Sequence, residues 1–273
     1  MLEMFAAMCS RRKTHTILLI QSAETAPKWL SSLESQNLVV GESEFKCCET
    51  NHKDIIKCSR ISVKAIMSCL IHKRVEYLYN HPSTTVLGRL LFVQKHWLLR
   101  GLNDVKDDEI HVNTNSTTTT TTTTIADVET LKKILLWNDT LDNTFFDKGG
   151  ISLLFYAVAL NNESLVRALI DSVTQNQTLH NKREQVRQLI SAVPVSGYPQ
   201  VGITSKMTTL CLAMYMSSPR IVEMLLDSGI DPNDCADDKG IDPFMFACIS
   251  AKMENVRLWL DFVKTWDVNR RNK

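Results

Sequence analysis

The chain has 273 residues, 44% of them hydrophobic and 22% charged, the make-up of an ordinary globular protein with room for one large domain or two small ones. Its 31 basic and 30 acidic residues leave a formal net charge of +1, so no overall field draws it to nucleic acid or to an anionic membrane. Neither is expected as its main partner.

The opening stretch MLEMFAAMCSRRKTHTILLI has the wrong order for a secretory signal. Its charges, Arg11 to Lys13, follow the first apolar stretch, and TILLI is too short for an apolar signal segment. No run approaches the roughly 20 apolar residues of a membrane span. Eight cysteines at irregular spacings suggest free thiols in a reducing compartment. The expected address is cytoplasmic or nuclear, not secreted. The Asn-x-Ser/Thr matches at Asn115, Asn138, Asn162 and Asn176 are then chance.

Residues 1–112 read as a small α or α+β domain whose role the sequence does not state. TILLI and NLVV have the apolar content of strands, and APKWLSSLES between them is expected to be a helix. In SVKAIMSCLIHKRVEYLYN, residues Val63, Ile66, Met67, Leu70 and Ile71 follow the spacing of an amphipathic helix. TTVLGRLLFVQKHWLLRGL is a second, strongly apolar helix expected to stop near Gly101. The same region holds Cys47, Cys48, His52, Cys58, Cys69 and His72, ligand types that suit zinc. No Cys-x2-Cys pair occurs among them, so plain thiols are the preferred reading and no metal or other cofactor is expected.

Residues 113–125 form a linker. Eight consecutive threonines, Thr117 to Thr124, are β-branched and polar and neither propagate a helix well nor bury an apolar face. A phosphorylated hydroxyl cluster is the sharper alternative, with nothing specific in its favour.

From residue 126 to 273 the texture changes to short helices separated by Gly, Asn and Asp. SKMTTLCLAMYMSSPRIVEMLLDSGIDPND aligns with KGIDPFMFACISAKMENVRLWLDF, placing Ala213 and Ala247 at 34 residues' separation (247 − 213). GGISLLFYAVALNNESLVRALIDS is a third copy, centred on Ala157, with an insertion at about 174–205 before the next. These copies resemble ankyrin repeats, whose first helix opens on Thr-Pro-Leu-His-x-Ala and whose period is about 33 residues. The matching slots read SLLFYA, TTLCLA and DPFMFA; SGIDPND resembles the closing turn Gly-Ala-Asp-x-Asn, and DVETLKKILLW a second helix lacking its first. The histidine is missing from every copy.

The resemblance implies stacked helix pairs that cannot bury their apolar faces singly. Ala157, Ala213 and Ala247 would mark the close approach. Leu154, Leu210, Phe244, Val166, Val222, Leu225 and Leu226 would form the core between neighbours. Asp231 and Asn233 then shape a tight turn, and Asp242 caps a helix ahead of Pro243. This displaces a calcium-loop reading of the aspartate-rich stretch, in which Gly240 sits too late and no Glu follows until Glu254.

Within the insertion, NKREQVRQLISAV puts Val186, Leu189, Ile190 and Val193 on one side of a helix, and PVSGYPQVG returns as a loop. At the far end Leu258, Trp259, Leu260, Phe262 and Val263 are expected to be partly uncovered unless something packs on them: either the chain is a fragment of a longer array, or a partner or the N-terminal half covers this end.

The fold class expected is therefore mainly α, an ankyrin-type helical solenoid preceded by the small N-terminal domain. No phosphate loop, nucleophile elbow or kinase signature occurs. The function implied is non-catalytic protein–protein interaction or scaffolding, with another protein as partner and the N-terminal half a candidate to pack on the repeats. A metal-binding or enzymatic N-terminal domain targeted by the repeats is the alternative. The resemblance places partner binding on the concave face and hairpin tips. The positions are Ile151, Ala159, Leu160, Met207, Tyr215, Met216, Asp238, Lys239, Ile241, Ile249 and Ser250, largely apolar and expected to be accessible.

Overall fold

The computed structural model describes residues 17–19, 28–30, 59–99, 101–102, 127–137, 146–147, 149–174, 189–190, 193–198, 201–234, 236–267 and 269. These are mostly helical. Contacts group the chain into two units, Met1–Thr124 with Gln200–Gly202, and Ile125–Pro199 with Ile203–Lys273.

In the first unit, β1 (Ile17–Leu19) pairs antiparallel with β2 (Lys28–Leu30), Leu18 opposite Trp29. This corrects the helix expected over APKWLSSLES. The backbone groups of Lys28–Leu30 find partners in the TILLI strand rather than within their own turn, and such pairing overrides a weak local preference. NLVV lies outside the described residues, as do Cys47, Cys48, His52 and Cys58.

Helix α1 (Ser59–Tyr79) buries Ile61, Met67, Ile71, Val75 and Leu78, a stripe spaced in whole turns. The expected face is rotated from this one. Val63 and Leu70 are half-buried flanks, and Ile66 is 46% exposed, because it sits about 100° round the helix from Met67. Helix α2 (Thr85–Val93) packs on α1, and α3 (Lys95–Leu98) follows across Gln94. The single apolar helix expected here is thus interrupted once, and Gly101, at φ +76°, lies just beyond its end.

Gly88 is what allows α1 and α2 to meet. A Cβ there would stand 2.7 Å from a ring carbon of Tyr79 and 3.1 Å from the Cβ of Leu78. Gly88→Ala gains about 1 kcal/mol of helix propensity and loses about 1–3 kcal/mol to overpacking. The variant is expected to melt lower than the parent. A higher melting temperature would show that the Tyr79 ring moves aside freely.

The second unit consists of short helices. Helix α4 (Val128–Ile134) is capped by Asp127, which accepts from the backbone N–H of Thr130 at 2.7 Å and from its hydroxyl at 2.9 Å. Those two bonds, the backbone one foremost, hold the Asp127 carboxyl below the usual carboxylate range.

Three helix pairs follow: α5 (Leu153–Ala159) with α6 (Glu163–Thr174), α7 (Thr209–Met216) with α8 (Pro219–Asp227), and α9 (Pro243–Ile249) with α10 (Met253–Phe262). Each first helix starts on a side-chain cap. Ser152, Thr208 and Asp242 accept from the N–H groups of Phe155, Cys211 and Met245 at 3.1, 3.2 and 2.9 Å. Pro219 and Pro243 open their helices where no intrahelical N–H is needed.

Packing is sequential. Helix α5 packs on α7 and α7 on α9, while α6 packs on α8, α8 on α10, and α4 on α6. Ala157, Ala213 and Ala247 are fully buried, as the close approach of first helices requires. Leu154, Leu210, Val166, Val222, Leu225 and Leu226 are buried as expected, whereas Phe244 is only half-buried. In the insertion, Leu189 and Ile190 are helical and buried and Val193 is half-buried; Val186 lies outside the described residues.

Candidate partner-binding surface

The turns that precede the first helices are built alike. In Asp147–Ile151, Asp147 Oδ1 accepts from the N–H groups of Gly149 (2.8 Å) and Ile151 (3.1 Å). In Asp237–Ile241, Asp237 Oδ1 accepts from Lys239 (2.9 Å) and Ile241 (2.8 Å). The Asp N–H in turn donates to the carbonyl of the residue four on, at 3.0 and 3.1 Å. One short acidic side chain thus closes each turn. Asp147 does more, since its Oδ2 accepts from the Tyr156 hydroxyl at 2.6 Å and ties the turn to α5. Burial, with the Asp147 carboxylate adding to it, pushes the phenol of Tyr198 up.

Between these two turns lies that of the middle pair, formed by the end of the insertion, where Tyr198 and Ile203 bridge antiparallel. The stretch PVSGYPQVG, expected as a plain loop, therefore turns back on itself. Backbone bonds then run from turn to turn. Val195 N–H donates to Gly149 O (3.0 Å), Lys206 N–H to Pro194 O (3.1 Å) and Asp238 N–H to Ser205 O (3.2 Å).

Gly150, Lys206 and Gly240 occupy equivalent positions and all have positive φ, +74°, +58° and +73°. Lysine pays for this conformation and glycine does not. Lys206→Gly is expected to leave stability unchanged or raise it by up to about 1 kcal/mol. Gly150→Ala is expected to lower it by about 1–3 kcal/mol, because the added Cβ would also stand 3.0 Å from Val193 O. Denaturant melts of the two variants check this. A destabilised Lys206→Gly would mean the lysine side chain has a packing role.

The expected binding positions divide sharply. Ile151, Ala159, Met207, Tyr215 and Met216 are buried, so the expectation that they form an accessible apolar face is corrected. Tyr215, for one, lies edge-on to Phe246 at 6.1 Å between centroids. The physical reason is that α5 and α7 have no solvent side: every residue of Leu153–Ala159 and Thr209–Met216 is buried. Leu160, Ile241 and Ser250 are half-buried, and Asp238, Lys239 and Ile249 are exposed. What remains accessible is the turn tip and the last helix pair.

Among the described residues of its unit, that last pair carries four of the seven exposed large hydrophobic side chains. Ile249 is 39% exposed, Leu260 40%, Phe262 46% and Met253 56%, and Leu258 and Val263 are half-buried. Trp259, expected to be partly uncovered, is fully buried, because Trp266 folds back and meets it edge-on at 5.0 Å. Trp266 also lies 6.3 Å from the Phe244 ring.

Two buried polar side chains link successive pairs and were not foreseen from the sequence. The Ser217 hydroxyl donates to Val158 O at 2.9 Å, in a buried site. The Asn255 amide, also buried, donates to the carbonyl oxygens of Ala213, Met214 and Ser217 at 3.4, 3.2 and 3.1 Å. The asparagine stands where its 34-residue equivalent is Ile221, so the repeat alignment itself marks it as the odd residue.

The aspartates of the opening-turn segments are structural. Asp231 Oδ1 accepts from the N–H of Asn233 at 2.9 Å, and Asp237 and Asp242 have the turn and cap roles described. Among the described residues no group of three or more His, Cys, Asp or Glu is placed to hold a metal. Burial, and then the Asp242 carboxylate, push the Cys248 thiol up, which keeps it protonated near neutral pH and a poor nucleophile. Among the same residues no helix is long and apolar enough to cross a membrane. Comparison with known family models gives no match, and comparison with curated proteins gives none either.

Proposed function

We propose that the chain is a non-catalytic protein–protein interaction module built on three ankyrin-like repeats, a short solenoid whose partner is another protein. The observation that carries this reading is the regular construction of the second unit. Three helix pairs share one register on Ala157, Ala213 and Ala247, and first helices pack on first and second on second. A cap and a left-handed residue recur before each first helix. Stacks of this kind present a row of turn tips and an extended surface rather than an enclosed pocket. The partner surface on this reading is centred on the exposed tip residues Asp238 and Lys239.

The test is a charge reversal at the tip, Asp238→Lys with Lys239→Glu, and a photo-crosslinker at Lys239 compared with one at Lys73, exposed in the first unit. The reversal is expected to change stability by less than about 0.5 kcal/mol, as surface changes do. Crosslinking at Lys239 is expected to trap a protein that the Lys73 probe and the reversed variant do not. Equal capture by both probes, or capture indifferent to the reversal, would sink the proposal.

A further inference from the structure

We propose that the outer face of the α9–α10 pair is a self-association surface that binds the same face of a second copy of this chain, with the two α10 helices antiparallel. This rests on the repeat reading only in aligning α9–α10 with the middle pair. Position by position, the outer face of α9–α10 is the more accessible of the two. Leu210, Cys211, Met214, Tyr215, Val222 and Leu226 of the middle pair are all buried. Their counterparts 34 residues on are Phe244, Met245, Cys248, Ile249, Val256 and Leu260, every one of them half-buried or exposed. The same side of a helix pair is thus dry in the middle of the stack and wet at its end. A contiguous apolar face of this kind marks an association site.

The charges beside this face say what covers it. Glu254, Arg257, Asp261 and Lys264 are exposed, alternate in sign, and follow one another at intervals of three, four and three residues. Such spacing keeps Glu254, Arg257 and Asp261 along one side of α10, and Lys264, just past the end of the helix, stays beside Asp261. The spacing is also symmetric about Trp259. A two-fold axis that sets α10 antiparallel to its copy brings Glu254 opposite Lys264 of the second copy, and Arg257 opposite Asp261 of the second copy. All four cross-pairs then have opposite sign. A parallel, in-register arrangement would oppose like charges instead. The Asp261–Lys264 pair within the chain, at 3.5 Å with both side chains largely exposed, is loose enough to yield to the new partners. A two-fold contact of this kind is closed, so it yields a dimer and not a filament.

Sedimentation velocity of the full chain over a range of concentrations tests this. A reversible monomer–dimer equilibrium is expected. Arg257→Glu alone and Asp261→Arg alone each place like charges across the axis and are expected to weaken it by about tenfold or more. The double variant restores opposite signs and is expected to recover most of the parent's association. Leu260→Asp is expected to abolish the dimer while the far-ultraviolet circular dichroism stays helical. If Leu260→Asp loses helix instead, the charge pair at exposed positions decides the matter. A monomer at every concentration, an open series of larger oligomers, or a double variant no better than the singles overturns the proposal. A monomer with intact helical signal leaves the interaction-module reading standing, since that reading is judged at Asp238 and Lys239.

Discussion

Replacing Tyr215 and Met216 by aspartate together is expected to abolish cooperative folding of the helix pairs. Both side chains are buried, and Tyr215 has no accessible surface at all. Its ring meets Phe246, and the helix that carries it packs on both neighbouring first helices. A carboxylate in its place loses the whole apolar contact and brings an unpaired charge into a dry interface. Each effect alone belongs to the small class of substitutions that cost more than about 4 kcal/mol. Against a domain stability of about 5–15 kcal/mol, two such changes leave little folded protein at 25 °C. Circular dichroism and a denaturant melt of the full-length variant provide the measurement. A helical, cooperatively unfolding double variant would mean that the α7–α9 contact is not part of the stable core, and would return these positions to the candidate binding surface.

The sequence expectation for these two residues was the opposite, and the reason is local. Apolar periodicity identifies which helices are amphipathic, as it does for α8 with Ile221, Val222, Leu225 and Leu226. TLCLAMYM has no polar side to its helix, and a uniformly apolar helix is a buried one. The resemblance to ankyrin repeats suggested a concave face just past the alanine, and in this chain the residues there point into packing. The alanine register, the cap at Asp242 and the turn role of Asp231 were all legible, because each depends on chemistry within a few residues.

What sequence reasoning missed depends on distant parts of the chain. Nothing near Trp266 announces that it returns to cover Trp259. The strand Lys28–Leu30 has a composition that reads equally well as helix, and only its pairing with Ile17–Leu19 decides it. The rotation of the α1 stripe away from Ile66 has the same origin, since α2 chooses which face of α1 it meets, and it does so at Gly88. The two buried polar links, Ser217 and Asn255, had only a faint signal, which for Asn255 is a polar residue at an otherwise apolar repeat position.

That faint signal leads to the second large effect, at Asn255. A helix leaves its last four carbonyl groups without intrahelical partners. At the end of α7 the Asn255 amide, reaching across from α10, donates to the Met214 and Ser217 carbonyls and shares the Ala213 carbonyl with the Ser217 N–H. One NH2 has two hydrogens for three acceptors, so the bonds are shared and individually long. Its Oδ1 is buried without a hydrogen-bond partner, a cost the site accepts for the donors. Three substitutions separate these contributions. Asn255→Val restores the apolar residue type of the aligned position and removes the orphan oxygen, but takes the donor from the Met214 and Ser217 carbonyls, while Ala213 O keeps the Ser217 N–H. Asn255→Ala leaves the same two carbonyls unsatisfied and adds a cavity, and is expected to cost about 1–3 kcal/mol from the carbonyls alone. Asn255→Asp places a carboxylate, which only accepts, against three other acceptors in a buried site, and is expected to cost about 3–5 kcal/mol. The expected order of denaturation midpoints is parent, then valine, then alanine, then aspartate. If valine proves more stable than the parent, the carbonyls at the end of α7 are satisfied by water or by other donors, and the amide is not what joins the last two helix pairs.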